Sequence, residues 1–143
     1  MIIPLYEADF LPAFWKSNQH MHKIFGGELD DRQLVSVSLN LIAMKSWDIA
    51  WSKAVKERDR YTCRAVFPGC TFRGRVEAHH IVGRQHKMLR YCFLNGIAVC
   101  PNCHSKFERQ PWVAKMLLPR MLKQEHYERL RVAAKTIYNI EIG

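Results

Sequence analysis

Most of the cysteines and histidines in this 143-residue chain fall at spacings that suit metal and proton chemistry. Cys63 and Cys70 form a C-x6-C pair, Cys100 and Cys103 a C-x2-C pair, and 29 residues separate the two. A tetrahedral zinc ion needs two such close pairs brought together, with thiolate sulfurs at about 2.3 Å from the metal. The other reading, four buried apolar thiols, leaves the pairing without a reason. Cys92, between Tyr91 and Phe93, is left over and reads as a small buried hydrophobe. His79 and His80 lie between the cysteine pairs, and His104 directly follows the second pair. Neutral imidazole binds divalent metals and, with an ordinary pKa near 6.5, also serves as a general base. Consecutive strand residues face opposite ways, so His79 and His80 are expected to differ in role or to sit at a strand end. One histidine on a metal and one on water suits metal-assisted phosphodiester hydrolysis.

Short elements must hold these groups. A helix is predicted from an N-cap at Ser46 to about Asp59, with Trp47, Ala50, Trp51, Ala54 and Val55 on one face. VEAHHIV (76–82) and GIAV (96–99) read as β-segments, and the stretch from Gly83 to Gly96 as a polar, basic, irregular loop. A short helix is predicted from Pro101 to about Arg109, and another between Pro111 and Pro119. The last runs over about 122–138, with Tyr127, Leu130, Ala134 and Ile137 facing inward. The class is therefore α+β. Residues 1–43 are aromatic and proline-punctuated (Pro4, Tyr6, Phe10, Pro12, Phe14, Trp15), then carry Gly26-Gly27 and Asp30-Asp31. The segment 34–43 suits a strand or a poor helix.

Charge narrows the partners. The chain holds 22 Lys and Arg against 13 Asp and Glu, a formal +9. Residues 1–43 carry three of those bases and five of the acids, so the excess sits beyond residue 43. A positive region of that strength attracts polyanions, nucleic acid first among them. At 48% hydrophobic and 24% charged the composition is that of a folded domain. No run approaches the roughly 20 apolar residues of a membrane span. The N-terminus lacks the basic-then-apolar pattern of a secretory signal. A reducing, cytoplasmic setting is expected, in which cysteines are ligands or free thiols.

The runs WSKAVKERDRYTC, EAHHIVGR and LNGIAVCPNCHSKFE together resemble the HNH endonuclease motif, of the ββα-metal (His-Me finger) type with a four-cysteine zinc site. The likeness spans about residues 47–137 and is similar to small phage-encoded HNH nucleases, including the tail HYERLRVAAK. It implies a ββα core on the zinc site over about 61–110, C-terminal helices over 111–138, and a nuclease domain at 44–143. Residues 1–43 are then an N-terminal extension.

The resemblance assigns roles by position. His79 and His104 would hold a catalytic divalent ion (Mg²⁺, Mn²⁺, Ni²⁺ or Zn²⁺), and His80 would deprotonate the attacking water. Asn95 would brace the loop between the strands, and Cys63, Cys70, Cys100 and Cys103 would hold structural zinc. Many relatives carry a further histidine where this chain has Glu108. That carboxylate is either a third ligand, direct or through water, or a solvated surface acid. Arg84, Lys87 and Arg90 are the expected DNA contacts beside the centre, Arg84 foremost because a guanidinium can bind two phosphate oxygens. Lys53, Lys56, Arg73, Arg75, Arg129 and Arg131 are expected to add non-specific attraction. The implied activity is DNA endonuclease, giving 5′-phosphate and 3′-hydroxyl ends. The competing readings are a non-catalytic zinc module that binds nucleic acid, and a phage packaging or recombination accessory that docks a protein through residues 1–43.

Overall fold

A computed structural model describes residues 5–17, 41–71 and 74–143. Arg73, Gly26-Gly27, Asp30-Asp31 and most of the 34–43 segment lie outside them. In chain order come a 3-10 turn at Glu7–Asp9 and helices α1 (Pro12–Ser17) and α2 (Leu41–Arg58). Strand β1 (Glu77–His80), helix α3 (Lys87–Arg90), a 3-10 turn (Phe93–Asn95) and strand β2 (Gly96–Val99) follow. Helices α4 (Pro101–Arg109), α5 (Pro111–Met121) and α6 (Gln124–Tyr138) complete the described elements. The fold is α+β: among the described residues, helices surround one two-stranded antiparallel sheet, in which His79 pairs with Ile97 and His80 with Gly96. No helix among the described residues is long and apolar enough to cross a membrane.

Helix α2 begins five residues before the expected cap, so Ser46 is an interior residue. Its buried stripe is narrower than predicted: Trp47, Trp51 and Val55 are buried, four residues apart, while Ala50 is exposed. The helix ends in a Schellman turn, with Tyr61 N–H on the Lys56 carbonyl (2.9 Å) and Arg60 N–H on that of Glu57 (3.0 Å). Arg60 and Tyr61 both take left-handed backbone angles, φ 55° and 53°. Asp59 then accepts Ala98 N–H at 2.8 Å and ties the end of α2 to β2. At α4, Cys100 is the N-cap and Pro101 opens the first turn, where its missing N–H costs nothing. Pro119 lies inside α5 rather than ending it, and α6 stops where Asn139 enters the left-handed region at φ 55°.

The Gly83–Gly96 stretch is not an open polar loop. It contains α3 and the second 3-10 turn, and buries Met88, Leu89, Tyr91, Cys92 and Asn95. Trp51 Nε1–H donates to the Cys92 carbonyl at 2.9 Å, joining this stretch to α2.

The N-terminal residues belong to the same core. Phe10 is bridged to Cys92, and Phe14 lies against Trp47 and Tyr91, with ring centroids at 5.6 and 5.0 Å. Leu5, Phe10, Leu11 and Phe14 are all buried, and Asp9 is paired with Arg129 of α6. Packing therefore crosses the expected boundary at residue 43, and Phe10 and Phe14 are turned inward rather than offered to a partner. Phe10→Ala is expected to cost about 3–5 kcal/mol, the usual loss for a buried phenylalanine. Denaturant unfolding measures it, and an unchanged midpoint would show the segment to be dispensable.

Candidate metal centre and histidine site

The cysteine pairs converge. The sulfurs of Cys63, Cys70, Cys100 and Cys103 all lie within 4.8 Å of one another, and none is in a disulfide. Four ligands at about 2.3 Å around a tetrahedral ion stand about 3.8 Å apart. Cys100 Sγ and Cys70 Sγ are separated by 3.8 Å, so the donor set fits a metal ion of that kind. Cys103 N–H points at Cys100 Sγ at 3.4 Å, as the tight C-x2-C turn requires. The wide first pair is accommodated by the turn at Pro68-Gly69, where Cys70 N–H reaches the Phe67 carbonyl at 2.9 Å. Among the described residues, this is the group of three or more metal-ligating side chains that comes together. The fifth cysteine, Cys92, is fully buried, and burial pushes its thiol up to about 12.

The strand alternation separates the two adjacent histidines as expected. His79 faces α4, where its ring lies edge-on to His104 (centroids 5.1 Å) and stacks on Phe107 (5.1 Å, 10°). His80 faces α2 and stacks flat on Trp51 at 3.7 Å and 5°. That approach depends on its cross-strand neighbour: a Cβ at Gly96 would stand 2.6 Å from both Trp51 Cζ2 and Val55 Cγ2.

Tautomers follow from the partners. His80 Nε2 lies 2.9 Å from the Arg90 carbonyl, an acceptor only, so Nε2 carries the proton and Nδ1 keeps the lone pair. His104 Nδ1 meets Glu77 Oε2 at 2.7 Å, which leaves Nε2 as the basic nitrogen. Glu108 Oε1 is 3.6 Å from that Nε2, beyond hydrogen-bond reach, and its side chain is 70% exposed. Burial above all, then the charges of His104 and His80, pushes His79 down to about 4. Burial likewise takes His80 down to about 4, against the opposing pull of the Arg90 carbonyl. Both rings are therefore neutral at pH 7, the form in which imidazole can bind a metal or accept a proton.

Asn95 is fully buried and closes the loop on itself. Its Oδ1 accepts Val82 N–H at 2.6 Å, and its Nδ2 donates to the carbonyls of Val82 (2.9 Å) and Leu89 (3.0 Å). Asn95→Ala strands three buried backbone groups at about 1–3 kcal/mol each before relaxation. A loss of several kcal/mol in chemical unfolding is expected, and a loss under about 1 kcal/mol would deny Asn95 its bracing role.

The expected cations divide. Arg84 is exposed just beyond β1, close enough for its charge to act on His80. Lys87 opens α3 and is half-buried. Arg90, expected as a DNA contact, has its guanidinium held bidentate by Asp48 at 3.0 and 2.7 Å and only 12% exposed. The pair positions the carbonyl that orients His80, so Arg90 acts on the ring and not as a free loop cation. Lys53, Arg75, Arg129 and Arg131 are likewise paired, with Glu57, Glu77, Asp9 and Glu128. Sequence reasoning missed Asp48, Trp51 as the His80 platform, and Glu77. Only Glu77 had a local signal, as the strand residue two before His79 on the same face.

The described chain is thus a helix-wrapped hairpin on a four-cysteine cluster that can hold a metal ion, with three histidines gathered at β1 and α4. Comparison with protein-family models, curated proteins and solved structures finds no match to this chain.

Proposed function

We propose that the protein is a metal-dependent DNA endonuclease of the HNH type, with the cysteine cluster holding structural zinc. The observation that carries this reading is the opposed pair on β1: His79 directed with His104 to one side, and His80 fixed as a neutral base on the other. The strand, strand and helix order of β1, β2 and α4 supports reading them as a ββα core. A divalent ion bound by His79 and His104 would polarise the scissile phosphate and stabilise the departing oxygen. Phe107 and Glu77 hold those two imidazoles in place. His80 takes the water proton at Nδ1, while the Nε2–H bond to Arg90 and the Trp51 face hold the ring still. Asn95 keeps the carbonyl-bearing loop closed above it. Arg84, exposed and uncommitted to an acid among the described residues, is the phosphate clamp. Glu108, one helical turn beyond His104 and exposed, would reach such an ion through a water molecule.

Plasmid nicking tests the reading. Supercoiled DNA should be relaxed in the presence of Mg²⁺, Mn²⁺ or Ni²⁺, and EDTA should stop the reaction. Tight binding without cleavage across that metal panel would leave a zinc-dependent binding module instead.

A further inference from the structure

We propose that Arg60, Arg64 and Lys123 form a phosphate-binding pocket for a nucleic-acid backbone, at the outer edge of β2 and apart from the cavity that His79 and His80 line. The pocket is a concavity of about 380 Å³ lined by Arg58, Asp59, Arg60, Arg64, Leu122, Lys123 and His126. It lies along the outer edge of β2, where Arg64 N–H reaches the Ala98 carbonyl at 2.9 Å and Asp59 accepts Ala98 N–H. The cavity at the histidines is lined by a different set of residues.

The charges in this pocket do not cancel. Arg58 binds Asp59 at 2.9 Å and donates to the carbonyls of Phe93 and Gly96, so those two opposite charges neutralise each other. His126 is bound to the Leu94 carbonyl at 2.6 Å and, with burial holding its pKa below the ordinary value, is neutral. Arg60, Arg64 and Lys123 remain, all exposed and with no acid partner among the described residues. Several of the cations expected to draw DNA are paired with acids elsewhere, which makes this unpaired trio the more notable. Arg60 also holds the left-handed Schellman position usually given to glycine, at a steric cost of about 1–2 kcal/mol. Two guanidinium forks and an ammonium around a concavity suit the tetrahedral oxygens of a phosphate. The inference extends the nuclease reading but concerns binding alone.

The test replaces all three with glutamine, which removes the charge but keeps a polar unbranched stem and a Cβ, so the Arg60 backbone strain is unchanged. Full-length zinc-loaded protein is titrated against a short fluorescein-labelled DNA duplex over a range of salt, without added divalent metal. Counterion release makes each lost phosphate contact worth about tenfold in affinity near 0.1 M salt and about one unit of salt slope. The triple variant should bind at least about tenfold more weakly, with a shallower slope and no dependence on base sequence. A control removing Lys45, Lys53 and Arg109, scattered over α2 and α4, should lose less. Equal loss in the control, or an unchanged slope in the triple variant, overturns the proposal. Inorganic phosphate competing in the millimolar range while the variants keep full DNA affinity would also overturn it, in favour of a free-anion site. Should the triple variant unfold, Lys123→Gln alone must still show a shallower slope. Plasmid nicking by the wild-type chain is scored separately: a weaker triple variant with a shallower slope supports the pocket even if the wild type does not nick, and an unchanged triple variant overturns it even if the wild type does.

Discussion

Plasmid nicking by His80→Ala is expected to fall about 10²- to 10⁴-fold, the range a positioned general base contributes. DNA affinity should stay within experimental error, because the ring removed is neutral at pH 7 and contributes no phosphate contact. The size of the effect follows from how completely the site fixes this ring. Trp51 presses on one face, the Arg90 carbonyl holds Nε2, and Asp48 holds Arg90 in turn. Deleting the imidazole also removes a stacked partner of Trp51, so some stability is lost along with the base. Exogenous imidazole separates the two effects: a small base diffusing into the vacated space restores nicking only where proton abstraction was the missing step. Wild-type nicking by His80→Ala, or loss of activity that imidazole leaves unmoved in a folded variant, would remove His80 from the base role. Asp48→Asn should show an intermediate loss, since it loosens the Arg90 carbonyl without touching the ring.

Loss of a metal ion from the four-cysteine cluster is expected to have the larger effect on the fold. Chelation strong enough to strip the cluster, or Cys100→Ser, is expected to unfold or aggregate the chain. A zinc-thiolate site contributes about 10–16 kcal/mol of apparent binding energy. That is comparable to the roughly 5–15 kcal/mol of net stability ordinary for a domain. Cys100 is the critical position because it has three duties at once. It is fully buried, caps α4, and stands 3.8 Å from the Cys70 sulfur. With α4 go His104 and Phe107, and with them the support for His79. One tightly held zinc per chain should be found by elemental analysis, and circular dichroism should report the collapse. A zinc-free chain that keeps its helical spectrum and thermal midpoint would refute the claim.

The local patterns carried much of the site. Two cysteine spacings sufficed to name the cluster, since close pairs are what a tetrahedral ion requires. Strand alternation separated His79 from His80 before any partner was known. Pro101 after Cys100 marked the start of α4, because a proline belongs where a helix has no use for its N–H. The span 83–96 misled for an equally physical reason. Its polar residues and glycines read as surface, but the three Asn95 side-chain bonds satisfy backbone groups that would otherwise need water, which lets the stretch go inside. A carboxamide that serves a loop 13 residues back leaves no periodic trace in the sequence.

By itself, then, the amino-acid sequence determined the donors: which sulfurs can share an ion, that the two adjacent histidines face opposite ways, and an excess of positive charge. Local spacing is enough for that, because ligand pairs and strand alternation act over a few residues. The tertiary structure alone decided what each donor meets. Asp48 reaches Arg90 across 42 positions, Trp51 meets His80, and Glu77 meets His104 across 27. It also brought Phe10 and Phe14 into the core and left Arg60, Arg64 and Lys123 around one pocket. Such pairings arise only when distant segments bury their apolar faces together, and periodicity records that a face is buried but not what it is buried against.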